Sequence, residues 1–183
     1  MIAAPSLPEK ILAIHEALTD ARIPHAFGGA LALAYYAEPR ATVDVDVNVF
    51  VEPSEAARVE TALRPLGVEP AADRAALERD GQTRWRWGVT PVDLFFKNHP
   101  IHDAMQEGVR RVPFGETRIP ILGPEHLMLC KVAFDRPKDW LDIEQIVLLN
   151  PEVDRSELNR WLPRIVPDAD PRRDRLEALL GSH

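Results

Sequence analysis

Val43-Asp44-Val45-Asp46-Val47-Asn48-Val49-Phe50-Val51 alternates apolar and polar residues along its length. Successive side chains of a strand point to opposite faces, so the pattern predicts a strand over Val43 to Val51. Val43, Val45, Val47, Val49 and Val51 then share one face, and Asp44, Asp46 and Asn48 share the other. Two carboxylates side by side on one face repel. A divalent cation relieves that repulsion, and hard ions such as Mg²⁺ prefer carboxylate oxygens. Taken alone, the alternation is better explained by the acidic outer face of a half-exposed strand, and it is the neighbouring residues that favour the metal.

A third carboxylate lies downstream, in Val92-Asp93-Leu94-Phe95-Phe96. A lone Asp in an apolar strand is costly unless it is paired, hydrogen-bonded or bound to a metal. Asp93 is therefore the natural third ligand beside Asp44 and Asp46. Backbone amides, or Arg84 or Arg86 on the preceding strand, are its alternative partners. Upstream, the glycine pair Gly28-Gly29 separates His25-Ala26-Phe27 from the alanine-rich Ala30 to Tyr36. That is a tight turn from a short strand into a helix, whose exposed N-H groups have the geometry to receive a phosphate.

The flanking segments complete an α+β pattern. Leu7, Ile11, Leu12, Ile14 and Leu18 recur at helical spacing, so a helix is expected from about residue 7 to 21. Further helices are expected over Ser54 to Leu63, capped by Ser54, and over Ala71 to Arg79. Gln82 to Val89 and Pro91 to Lys97 form a hairpin, and Arg110 to Pro113 and Thr117 to Leu122 form two more strands. From Pro124 the pattern is helical throughout: Pro124 to Phe134, Pro137 to Leu149, Arg155 to Val166 and Pro171 to Leu180. Residues 1–122 read as the α+β core and 123–183 as a helical part packed on it in one compact unit.

Composition narrows the class of partner. The chain of 183 residues carries a net charge of -7, with 45% hydrophobic and 28% charged residues. An acidic balance argues against a surface that tracks nucleic acid throughout. A single cysteine, Cys130, excludes an intrachain disulfide, and Met1 to Pro8 lacks the pattern of a secretory signal, so a cytoplasmic protein is expected, with no membrane association.

Phe27-Gly28-Gly29-Ala30-Leu31-Ala32-Leu33, Arg40-Ala41-Thr42-Val43-Asp44-Val45-Asp46 and Val92-Asp93-Leu94 together resemble the polymerase beta-type nucleotidyltransferase superfamily. Within it the chain looks most like the AbiEii-like branch, which includes toxins of type IV toxin-antitoxin systems. Leu129-Cys130-Lys131-Val132-Ala133 and Arg136-Pro137-Lys138-Asp139-Trp140-Leu141-Asp142 complete the match, which runs from about Pro24 to Leu149. The resemblance implies a mixed, mainly antiparallel sheet flanked by helices. It also implies two Mg²⁺ ions, for which Mn²⁺ can substitute, and transfer of a nucleoside monophosphate from a triphosphate to an acceptor hydroxyl.

On this reading Asp44, Asp46 and Asp93 hold the metals, and Gly28, Gly29 and Lys131 meet the nucleotide, with Arg40 and Asp139 as further candidates. Lys131 is the one charge in an otherwise apolar helix, so it must snorkel outward or meet an anion. Asp139, Asp142 and Lys138 equally suit a surface ion-pair set. Trp85 and Trp87 alternate with Arg84 and Arg86, which suits an aromatic core face and an arginine outer face, or a base-stacking wall. His99, His102 and Asp103 are too generically spaced for a metal centre. The acceptor is left open among tRNA, a protein and a small molecule such as an aminoglycoside; an antitoxin is a potential partner. A nucleotide-binding module without turnover is the non-enzymatic alternative.

Overall fold

The computed structural model describes residues 4–71 and 74–181. The order is α1 (Leu7–Asp20), β1 (His25–Phe27), α2 (Gly29–Leu33), β2 (Val45–Val49), α3 (Ala56–Leu63), β3 (Val68–Glu69), α4 (Arg74–Asp80), β4 (Gln82–Trp87), β5 (Thr90–Phe96), α5 (Ile101–Glu107), β6 (Arg110–Phe114) and β7 (Thr117–Ile121). Then come α6 (Pro124–Phe134), α7 (Pro137–Leu149), α8 (Arg155–Ile165) and α9 (Pro171–Gly181).

One seven-stranded sheet runs β3-β4-β5-β2-β1-β7-β6. Its β1–β7 and β2–β5 pairs are parallel and the other four antiparallel, so the sheet is mixed and mainly antiparallel as expected. Val45, Val47 and Val49 are buried and anchor β2 in the centre of the sheet. Each such side chain removed from water contributes about 1.5–3 kcal/mol.

Local signals place the helices. At the start of α1, Glu9 Oε2 accepts hydrogen bonds from the Ser6 amide (2.7 Å) and hydroxyl (2.6 Å), which satisfies an orphan helix-end donor. Asp154 caps α8 by accepting from the Ser156 and Glu157 amides. Ile14 and Leu18 of α1 and Val59 and Leu63 of α3 are fully buried where these two helices meet. On the other side of the chain, α6 packs against α2, α7 and α8.

Four expectations need correction. The acidic strand is shorter than the alternation suggests: Val43 is 71% exposed and β2 begins at Val45. The cause is local, because the Thr42 hydroxyl accepts the Asp44 amide (3.2 Å) and takes it out of the ladder. Ser54 does not cap α3 but lies in a 3-10 turn, Pro53–Glu55, that precedes it. The helix expected over Ala71 to Arg79 appears as α4 from Arg74, residues 72 and 73 lying outside the described residues. Both β3 and α5 were unforeseen, being short and having only Val68 or the i, i+4 pair Ile101 and Met105 buried.

Candidate active site

The parallel pairing of β2 with β5 sets Asp46 directly beside Asp93. Across the antiparallel β4–β5 pair, Asp93 faces Arg84. Asp44 sits just before β2, with its side chain 38% exposed. Three carboxylates thus gather at one end of a cavity of about 530 Å³, walled on its other sides by the Thr42 loop, α5 and α6.

Asp46 carries the strain of this arrangement. Burial, followed by the charges of Asp93 and Asp44, pushes its pKa up to about 6, against the pull of Arg136 and Lys131. Its carboxylate also lies against Gly29, where an added Cβ would come 1.8 Å from Asp46 Oδ2. Gly29 has φ +52°, a conformation that favours glycine, and the Gly28 amide donates to the Asp46 carbonyl (3.0 Å). The glycine pair therefore does more than turn the chain: it makes room for the central carboxylate.

Asp93 takes one of the alternative partners open to it. Arg84 donates from Nε and Nη2 to its two oxygens, each at 2.7 Å, and the Arg84 pKa rises through these bonds and the Asp93 charge. Arg84 Nη2 also lies 4.0 Å from Asp44 Oδ2. Trp85, on the opposite face of β4, is buried, so the strand has the aromatic core face and arginine outer face expected of it.

Lys131 meets anions rather than solvent. Its buried ammonium donates to Asp142 Oδ2 at 2.5 Å and lies 3.8 Å from Asp139 Oδ1. Asp139 is fully buried and binds Arg136 through Nε (2.6 Å) and Nη2 (3.1 Å), while Arg40 Nη2 reaches Asp142 at 3.2 Å. The surface ion-pair set considered for Asp139 and Asp142 is thus a buried cluster holding α6, α7 and the Arg40 loop together. Lys138, which lines the same cavity, makes no hydrogen bond or ion pair among the described residues. Lys131 lies in α6 and Lys138 in the first turn of α7, and the packing of the two helices sends Lys131 to Asp142 and leaves Lys138 at the cavity.

His99 and His102 line the cavity but bond locally, His102 Nδ1 to the His99 carbonyl (3.0 Å) and His99 Nδ1 to the Ile101 amide (3.2 Å). Asp103 pairs with Lys97 instead. Burial pushes the pKa of the cavity-lining Cys130 thiol up to about 12, which favours its protonated form.

No family model matches the chain, and no curated protein does. Solved structures do. The antibiotic-resistance factor ANT(2'')-Ia, in its solution structure, has a TM-score of 0.60 at 15% identity over 94% of this chain and 96% of its own. The lincosamide antibiotic adenylyltransferase LnuA, lincomycin-bound, has a TM-score of 0.55 at 11% identity over 76% of this chain and 96% of its own. A nucleotidyltransferase-like protein from Paracoccidioides brasiliensis has a TM-score of 0.52 at 17% identity, covering 92% of this chain and 89% of its own.

The chain has the nucleotidyltransferase fold. Within that fold the acidic end of the cavity is formed by β2, β4 and β5, and its roof by α6. Among the described residues no helix is long and apolar enough to cross a membrane.

Proposed function

We propose that this chain is a metal-dependent nucleotidyltransferase that moves a nucleoside monophosphate from a triphosphate to an acceptor hydroxyl. The observation that carries this is the register of β2 on β5, which brings Asp46 and Asp93 together at the acidic end of the cavity, with Asp44 two residues away. Three aspartates are donors that suit a hard divalent cation. Among the described residues no three acidic, histidine or cysteine side chains are gathered tightly enough to hold an ion, and Arg84 occupies both oxygens of Asp93. The carboxylate chemistry suits Mg²⁺ or Mn²⁺, and holding the ion would require Asp93 to leave the Arg84 guanidinium.

Asp44, Asp46 and Asp93 would hold two such ions, which would supply charge neutralisation at the transferring phosphoryl group and a lowered pKa of the acceptor hydroxyl. The acceptor oxygen bonds to the α-phosphorus as the bond to the pyrophosphate oxygen breaks. Asp93, freed from Arg84, takes the hydroxyl proton. Gly28 and Gly29 leave the phosphate path open, and Arg40 and Lys138, which makes no hydrogen bond or ion pair among the described residues, supply positive charge beside it, with Lys131 behind them bound to Asp142. Asp139 and Asp142 hold Lys131, Arg136 and Arg40 in position from behind. The setting is cytoplasmic, where triphosphate is at hand and Cys130 stays reduced.

A small-molecule acceptor is favoured over tRNA or protein, because the carboxylates sit within a cavity of the size that suits a drug-sized ligand. ANT(2'')-Ia has been seen with adenylyl-2''-tobramycin and LnuA with lincomycin, which supports that choice. The AbiEii-like toxin reading, with its antitoxin partner, rests on the sequence motifs; growth arrest on expression, relieved by Asp46→Asn, would support it. The function is tested by incubating the chain with Mg²⁺ and each α-labelled triphosphate in cell extract. A nucleotidylated product that disappears with Asp44→Ala, Asp46→Ala or Asp93→Ala is expected. Triphosphate binding without any product would leave the non-catalytic module.

A further inference from the structure

The cavity lining is lopsided in charge. Among the described residues its only carboxylates are Asp44, Asp46 and Asp93, the three assigned to the metals, whereas Arg40, Arg84, Lys131, Arg136 and Lys138 all line it. Away from the acidic end the wall is apolar, made by Phe95, Ile101, Met105, Leu129, Phe134 and Ile165. Phe95 and Phe134 meet edge to face with centroids 5.9 Å apart, and Phe134 keeps 43% of its surface exposed. The polar groups on this side are His99 and His102, both already bonded within their own turn, and Arg136, whose guanidinium lies 4.9 Å from the Phe134 ring centroid and is held by Asp139.

A polycation entering this cavity would lose hydration without gaining a free carboxylate, because Asp139 and Asp142 are already bound to Arg136, Lys131 and Arg40 behind the wall. An uncharged molecule with an apolar face would gain contact with the phenylalanine wall at no such penalty. Resting on the transferase reading above, we infer that the acceptor is a small, uncharged hydroxyl compound with a substantial apolar face, seated against Phe95 and Phe134. A polycationic aminoglycoside is not its substrate, although ANT(2'')-Ia, of the same fold, has been seen with the tobramycin adduct.

The test uses the full chain with Mg²⁺, the α-labelled triphosphates and cell extract separated into RNA, protein and small-molecule fractions. Any labelled small adduct is cleaved with phosphodiesterase, and the released acceptor is partitioned between reversed-phase and cation-exchange media. An acceptor retained by the reversed phase and not by the cation exchanger is expected, with no pyrophosphate release on tobramycin. Label on RNA or protein, an acceptor held by the cation exchanger, or turnover of tobramycin would overturn the inference while leaving nucleotidyl transfer intact. No label in any fraction would remove the transferase reading itself. Phe134→Asp, at an already exposed position, should raise the acceptor KM about tenfold or more and change the triphosphate KM by less than about twofold. A rise confined to the triphosphate would seat the base on Phe134 and refute the acceptor placement.

Discussion

Replacing Asp46 by asparagine should stabilise the metal-free protein. The Asp46 pKa rises from 3.8 to about 6 in the folded chain. A shift of roughly two units at 1.36 kcal/mol each sets an upper limit of about 3 kcal/mol on the penalty of ionising it in the native state. The sign follows from proton uptake. Between pH 4 and 6 the folded protein holds a proton that the unfolded chain has released, so stability falls as pH rises through that window, and the whole penalty is present at pH 7. Asparagine keeps the shape beside Gly29 and removes the charge, and allowing for imperfect amide hydrogen bonding the gain should be about 2 kcal/mol. Urea unfolding in EDTA at pH 7.5 and pH 4 measures it. The advantage of the mutant should be largest at pH 7.5 and nearly gone at pH 4. Mg²⁺ with triphosphate should reverse the order, since ligand at a hundred times its Kd stabilises the wild type by about 2.7 kcal/mol through linkage, and the mutant by less. A mutant less stable than wild type in EDTA would mean that Asp46 serves the fold, and an advantage independent of pH would mean that the Asp46 charge is not its cause.

Arg84→Gln frees Asp93 of its two guanidinium bonds, so Mn²⁺ binding without nucleotide, read by electron paramagnetic resonance, should tighten about tenfold or more; unchanged binding would separate Asp93 from the metal. Lys131→Ala should destabilise the fold by about 3 kcal/mol, because it strands Asp142 and Asp139 in the interior. A loss under about 1 kcal/mol in urea unfolding, with weakened triphosphate binding, would return Lys131 to a direct phosphate role. His25 is buried, with Nε2 2.9 Å from His15 Nδ1, and burial lowers its pKa to about 4. The unfolded chain binds that proton first, so acidification from pH 6.5 to 4 should remove about 3 kcal/mol of stability; a His25→Gln variant should lose correspondingly less over the same range, and parallel curves would rule out the pair as the cause.

What the sequence made legible was periodic or local. The valines of β2 are separated from their aspartates by a two-residue period that needs no knowledge of the rest of the chain, and the helices from Pro124 onward announce their starts with proline or polar caps. Register is different in kind. That Asp46 stands beside Asp93, rather than one residue away on the opposite face, is fixed by a parallel pairing between segments far apart in the chain, and a slip by one would turn Asp93 into the core. The Arg84 bond could be named beforehand only as one of two alternatives, since Arg84 and Arg86 share a face and only the hairpin register chooses between them. Lys131 carries the same lesson further. An isolated charge in an apolar helix requires an anion, and Asp139 and Asp142 were within view, but whether they were surface or interior depended on how α7 folds back over α6. That fold-back commits Lys131 to the interior cluster and leaves Lys138 at the cavity with no partner among the described residues, so the positive charge free to meet the proposed triphosphate is decided by helix packing, which local sequence does not encode.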